Sequence, residues 1–226
     1  LKKLRTHAKP DSRRSADQKL ATALMNRGNC FSVSDDVPAA RQCYKHAIEI
    51  LRDLRRARGL SWDVDICSTL ASALARRGGV FEESDDLIAA SKAYAEAINL
   101  LERSLDKLED DGPLDAWQTL AEAYAARGGL TKPRKNAERA IADYGHAILL
   151  FKTLQESHDD ECPPEVPMNL ALAYENRADL HVEAGRYRLA IADYDRAIKT
   201  LGRLGETLGE ERAPDTTEVL TDLYKI

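Results

Sequence analysis

The chain has 226 residues, 43% of them hydrophobic and 31% charged, which supplies a folded core and is too apolar for disorder. Ala, Leu, Glu, Lys and Arg recur while only three Phe and two Trp occur, a balance that favours helix over strand and makes an all-α fold the expectation. The formal charge is −5, and basic clusters such as Arg52 to Arg58 alternate with acidic ones such as Asp106 to Asp111, so no single-sign field or aromatic-laced basic stripe points to nucleic acid.

In chain order, Leu1-Lys2-Lys3-Leu4 stands in register with Leu51 to Leu54, Phe151 to Leu154 and Leu201 to Leu204, and reads as the tail of a helix over 1–9. A first helix follows near 16–31, with Leu20, Ala23, Leu24, Arg27 and Gly28 on one stripe; the glycine leaves room for a partner helix. Ser34-Asp35-Asp36 offers short acidic side chains that cap the next helix. That second helix, near 36–57, places Ala40, Tyr44, Ala47, Ile48 and Leu51 at i, i+4, i+7, i+8 and i+11. The pattern then repeats, with first helices near 65–81, 115–130 and 166–184 and second helices near 86–108, 136–156 and 187–204. Ser84-Asp85-Asp86 caps as before, and Pro10, Gly112-Pro113, Pro163-Pro164 and Pro214 mark the turns between repeats. The last residues, 215–226, start another first helix, with Leu220 and Tyr224 in the register of Leu170 and Tyr174.

The repeat length is fifty residues, because that shift stacks Leu20, Leu70, Leu120, Leu170 and Leu220 in one column without a gap. The same shift aligns Ala40, Ala90, Ala140 and Ala190, and Tyr44, Tyr94, Tyr144 and Tyr194. Arg27, Arg77, Arg127 and Arg177 form another column, as do Gly28, Gly78 and Gly128 with Ala178 fourth. Seven of the eight tyrosines fall in two columns, the second being Tyr124, Tyr174 and Tyr224 beside Leu24 and Leu74. A fixed period of this kind marks a unit that buries its apolar face only by stacking on its neighbours. The expected domain is one array over 1–226, with full repeats near 15–64, 65–114, 115–164 and 165–214.

Asn176-Arg177-Ala178-Asp179, Gly185-Arg186-Tyr187, Ala190-Ile191, Tyr194 and Ala197-Ile198 closely resemble the tetratricopeptide repeat. Asn26-Arg27-Gly28-Asn29 is similar to the same motif, and the columns carry the resemblance through residues 17–201. These units exceed the family's usual length, which is about 34 residues, so both helices are expected to extend around the inter-repeat turns. The first three units also depart from the Gly185-Arg186-Tyr187 turn, with Asp35-Asp36-Val37, Asp85-Asp86-Leu87 and Lys135-Asn136-Ala137 in its place. The resemblance implies a right-handed superhelical solenoid of antiparallel helix pairs, whose first helices line a concave groove that holds a peptide or partner helix. In relatives that clamp chaperone tails, Lys and Asn side chains hold a terminal carboxylate. Asn26 and Asn29 fit that pattern, whereas Met25, Glu122 and Ala126 stand where basic or amide groups are needed, which argues against such a clamp.

The arginine column lies on the first-helix stripe, so its aliphatic stems are expected to pack while each guanidinium finds an acid, with Asp143 and Asp193 as partners in the later units. His46 and His146 share a column with Glu96 and Arg196 and read as solvated. His181 shares one with Phe31 and Phe81, and neither column has the look of a metal site. His158-Asp159-Asp160-Glu161-Cys162 reads as an acidic loop rather than a metal centre. Cys30, in the column of Val80, Leu130 and Leu180, is expected to be a small core side chain. The four cysteines form no CxxC pair, which fits reduced thiols in the cytoplasm. Apolar runs such as Ala147 to Phe151 fall far short of the roughly 20 residues that span a bilayer, and the start has no signal-peptide pattern. Walker, HExxH, GxSxG and dinucleotide glycine motifs are lacking, so no enzyme, cofactor or metal is expected.

The expected function is a scaffold that binds a peptide or partner protein. Its alternative is a regulatory or sensor segment of a longer array in a larger protein, such as a bacterial caspase-like peptidase, kinase or nucleotide-switch protein, with any enzymatic domain elsewhere on that chain. A groove that reads one ligand has no reason to repeat, so its determinants are sought among first-helix side chains off the packing stripe that differ between units. Thr22, Met25, Asn26, Asn29, Arg76, Glu122, Glu175 and Asn176 meet that description. Asn pairs with a peptide backbone, Arg76 with a carboxylate, and Met25 adapts to an apolar anchor.

Overall fold

The structure, a computed structural model, describes residues 10–57, 63–106, 108, 112–130, 137–158 and 162–208. It is all-α, with α1 (Pro10–Val33), α2 (Val37–Ala57), α3 (Val64–Glu83), α4 (Leu87–Leu105), α5 (Leu114–Gly129), α6 (Ala137–His158), α7 (Glu165–Glu183) and α8 (Tyr187–Leu208). No strand occurs among the described residues. The expected partial helices over 1–9 and 215–226 lie outside them. Pro10, expected in a turn, opens α1 instead, a position where its missing N–H costs nothing. The residues group into two compact units, Leu1–Thr119 and Leu120–Ile226.

In the first unit, the α1–α2 and α3–α4 turns settle the geometry that the departures from Gly185-Arg186-Tyr187 left open. Gly185 takes φ +70°, and Asp35 and Asp85 enter the same left-handed region at 60° and 56°. Asp tolerates this conformation better than most residues. In all three turns the hydrogen bonds match: Asp36 N–H donates to Phe31 O at 2.9 Å, Asp86 to Phe81 O at 2.9 Å, and Arg186 to His181 O at 2.7 Å. Asp36 and Asp86 then cap, their carboxylates accepting from Ala39 N and Ala89 N at 3.1 Å. The corresponding turn of the third hairpin lies outside the described residues.

Each hairpin closes on the glycine and tyrosine columns. A Cβ on Gly28 would stand 2.9 Å from the Tyr44 ring, one on Gly78 2.7 Å from Tyr94, and one on Gly128 3.1 Å from Tyr144. The glycines therefore let the ring of the second helix lie on the backbone of the first. Where Ala178 fills that place, Tyr194 is more exposed than Tyr44, Tyr94 and Tyr144, which are all buried.

The first-helix stripe is less buried in α1 than in later repeats. Leu70, Leu120 and Leu170 are 2–3% exposed, whereas Leu20 is 45% exposed. Ala73, Ala123 and Ala173 are buried and Ala23 is exposed. Cys30 is exposed too, against the expectation of a core thiol, while Val80 and Leu180 in its column are buried. The reason is positional: α3 packs on α2 and α7 on α6, and among the described residues no preceding helix covers that face of α1.

Candidate functional site

The first helices carry the expected contact residues, and the structure sorts them by what each side chain touches. Thr22 is exposed, and its hydroxyl donates back to Gln18 O at 3.2 Å. Asn26 is exposed one turn further on. Met25 is 7% exposed; it packs into the hairpin and is not presented as an adaptable apolar anchor. Asn29 is half-buried, and its Oδ1 accepts from the Tyr44 hydroxyl at 2.7 Å and from Arg76 Nη1 at 3.3 Å. Asn29 of α1 and Arg76 of α3 are thus brought together, and the Asn29 Oδ1 is shared between its own hairpin and the next. A second link joins these helices near their ends, from the Ser32 hydroxyl to Glu83 Oε1 at 3.3 Å.

In the second unit Glu122 is exposed, while Glu175 and Asn176 are half-buried. The Asn176 amide donates to Leu172 O at 2.8 Å. Beside them stand two residues that polar patterning does not single out, Met168 and Leu172, 37% and 53% exposed. With Glu175 and Asn176 they occupy i, i+4, i+7 and i+8 of α7, a single stripe. A signal for them does exist in the sequence: Leu172 shares a column with Thr22, Ser72 and Glu122, where an apolar residue stands out.

The tyrosine hydroxyls find different acceptors as the first-helix residue changes. Tyr44 uses Asn29; Tyr94, with Gly79 in that column, reaches Glu82 Oε2 at 3.1 Å; Tyr194 reaches Asp179 Oδ1 at 2.5 Å. Burial, then the adjacent Glu82, pushes the Tyr94 phenol well above its usual pKa. Such hydroxyls stay protonated donors and serve the scaffold.

The arginine column also belongs to the scaffold. Arg127 and Arg177 each grip a carboxylate on the following helix with two hydrogen bonds, to Asp143 at 2.6 and 2.8 Å and to Asp193 at 2.7 and 2.9 Å, the partners expected from sequence. Arg27 instead donates to Cys43 Sγ at 3.2 Å. The Nε of Arg77 is buried without a hydrogen-bond partner. Burial and the nearby Arg52 lower the Arg77 pKa, with Glu96 opposing them.

His46 and His146 are exposed as expected, though His146 also stacks on the Tyr124 ring at 4.8 Å. His181 is buried, its Nδ1 lacks a partner, and burial lowers its pKa. Among the described residues no group of three or more His, Cys, Asp or Glu is placed to hold a metal; Asp159, Asp160 and Glu161 of the acidic loop lie outside them. No described helix is long and apolar enough to cross a membrane.

Residues 171–200 match the family model described as tetratricopeptide repeat. That stretch spans most of α7 and the start of α8 and holds the motif residues of the fourth hairpin. A comparison with curated proteins finds no match. Among solved structures the chain is similar to BtubC (BKLC) from P. vanneervenii, with TM-score 0.62 and 19% identity over 82% of this chain and 64% of that one. The chain thus spans less than two thirds of BtubC, and the likeness is one of fold. It is also similar to the de novo designed helical repeat protein DHR64, with TM-score 0.42 and 18% identity over 92% of this chain and 97% of that one. A third similarity is to MamA, with TM-score 0.38 and 18% identity over 79% of this chain and 96% of that one.

Proposed function

We propose that this helical-repeat protein, whose fourth hairpin is a tetratricopeptide repeat, is a scaffold that binds a peptide or a partner protein along the exposed faces of its first helices. One observation carries the reading. Residues that repeat every fifty positions, such as the Tyr44 and Ala40 columns, are mostly buried or paired, whereas Thr22, Asn26, Arg76, Glu122 and Leu172 are exposed and stand in columns that vary, Thr22, Ser72, Glu122 and Leu172 in one and Asn26, Arg76, Ala126 and Asn176 in the other. Repetition serves packing, and an exposed set that does not repeat serves recognition of something that does not repeat either. Four free thiols fit work in a reducing compartment such as the cytoplasm.

The test replaces Asn26 and Arg76 by Ala, and separately Glu122 and Leu172 by Ala. Asn29 and Met25 are left alone because they hold the hairpin. A partner is captured from the source cell with the wild-type chain, purified, and titrated against each double variant. Loss of affinity of about tenfold or more with an unchanged melting temperature supports the first-helix face. Unaltered affinity in both variants moves the contact surface to the second helices or the turns.

A further inference from the structure

Three residues of α7 break the polarity of their columns. Met168 stands where the other repeats have Gln18, Ser68 and Gln118, Leu172 where they have Thr22, Ser72 and Glu122, and Val182 where they have Ser32, Glu82 and Lys132. All three are exposed, at 37%, 53% and 41%. With Asp179 they fall at i, i+4, i+11 and i+14, on one stripe of the helix. A repeat gains from an apolar side chain by burying it, and these three stay exposed among the described residues. The other repeats do without them, so the stack does not require them.

The charge beside them has one sign. Glu165 precedes Met168 by three residues and Glu183 follows Leu172 by eleven, which keeps both near the stripe, and Glu165, Asp179 and Glu183 are all exposed. The Asp179 carboxylate accepts from the neutral Tyr194 hydroxyl and keeps its charge. Glu165 shares its column with Asp65 and Asp115 and also suits the N-terminus of its helix. Asp179 stands where the other repeats have Asn29, Gly79 and Gly129, so its charge is particular to this repeat. The single arginine of α7, Arg177, is half-buried and held by Asp193, and Arg186 of the following turn is held by Glu138.

We infer, resting on the first-helix reading above, that this face of α7 docks a basic peptide segment of a partner protein. An apolar side chain of that segment seats against Met168 and Leu172 while its lysines or arginines meet Asp179, Glu183 and Glu165. The apolar contact supplies affinity, and the opposite charge around it speeds encounter and rejects acidic competitors. Met168 is unbranched and adapts to the shape of the anchor. The Asn176 amide, which donates to Leu172 O at 2.8 Å, leaves its oxygen to accept a peptide N–H.

Peptides selected from a random phage-displayed library on the full chain test this without fixing their charge in advance. The enriched sequences are synthesised and titrated by fluorescence anisotropy against the wild type, Leu172→Ser, the pair Asp179→Asn with Glu183→Gln, and the pair Asn26→Ala with Arg76→Ala. Asp179→Asn copies Asn29, which accepts from Tyr44, so the hairpin keeps its hydroxyl acceptor. Expected are sequences rich in Lys or Arg around Leu, Ile, Met or Phe. Their affinity should fall about tenfold or more with Leu172→Ser and with the acid pair, whose loss should also flatten the salt dependence, and should be unchanged by the Asn26 and Arg76 pair. Enriched peptides that are acidic or uncharged overturn the inference, as does failure of any peptide to enrich. Peptides weakened by the Asn26 and Arg76 pair but not by Leu172→Ser overturn it while leaving the first-helix reading standing; peptides indifferent to every variant overturn both. A lower melting temperature for Leu172→Ser overturns it as well, because the chain then covers this face itself. So does dimerisation in sedimentation that Leu172→Ser abolishes, because a second copy is then the occupant.

Discussion

The two units solve one problem differently: each places an arginine of the first helix against the second helix, and only one of them supplies an acid. In the second unit Arg127 and Arg177 meet Asp143 and Asp193, which are 4% and 1% exposed. In the first unit the equivalent positions are Cys43 and Ala93. There the guanidiniums lie near phenylalanine instead, Arg27 at 6.0 Å from the Phe31 ring and Arg77 at 5.7 Å from Phe81, with Arg41 also over Phe81 at 4.8 Å. In the second unit Arg127 lies 5.3 Å from Tyr124 and Arg177 5.7 Å from Tyr174, so the aromatic sits three residues before the arginine instead of four after it. A repeated arginine thus meets what its own repeat supplies, Arg77 keeping a buried Nε without an acceptor, and identity at one column does not bring identity at its neighbours. The carboxylate pairs impose a defined geometry; the aromatic contacts are weaker and less directional.

The largest effect expected from breaking this contrast is at Asp193, which also accepts from Arg196 at 2.6 Å. Asp193→Ala leaves two cations beside a buried gap and should cost about 3–5 kcal/mol, read by urea denaturation; a loss below about 1 kcal/mol would mean that the pair is fully compensated by solvent.

Next comes Gly78→Ala, which sharpens the comparison with Ala178 of the second unit. The added methyl would meet the Tyr94 ring at 2.7 Å, and the expected cost of about 1–3 kcal/mol exceeds the helix-propensity gain of about 1 kcal/mol. A raised melting temperature would show that Tyr94 moves out freely, as Tyr194 stands more exposed.

A smaller change of opposite sign is expected from Ala93→Asp, which grafts the second unit's carboxylate into the first. By giving the unsatisfied Arg77 Nε an acceptor, it should stabilise the unit by about 1 kcal/mol. The same substitution in an Arg77→Met background should destabilise, since the new carboxylate is then buried alone. Equal effects in both backgrounds would show that the introduced carboxylate does not pair with Arg77.

The smallest effect is one of pH. Burial lowers the His181 pKa in the folded chain, so the unfolded chain takes up the proton first. Stability from this group is present above the unfolded value of about 6.5 and is lost as the pH falls through the lower folded value. His181→Phe, which copies Phe31 and Phe81, should flatten that part of the stability curve in denaturation series at stepped pH. A curve left as steep as in the wild type would assign the dependence to other groups.

Much of this architecture is written in the column pattern. Period and stripe place the eight described helices to within a few residues, apart from the early start of α1 at Pro10, because helix formation is local and the repeating side chains are the ones that pack. Asp143 and Asp193 follow from the same reasoning, since an arginine on an apolar stripe needs an acid within reach. The candidate surface is less legible: Asn26, Arg76, Glu122 and Thr22 are exposed as patterning suggests, while Met25 is buried and the exposed Leu172 and Met168 carry no polar signature.

The amino-acid pattern alone therefore specifies the interactions that recur within a hairpin: the helices, the glycine against the tyrosine, and the acid that answers Arg127 and Arg177. Whatever depends on a neighbouring helix is settled by packing. Leu20 and Cys30 share columns with buried residues yet stand exposed, because burial is conferred by the helix laid across a face and not by the residue that occupies it.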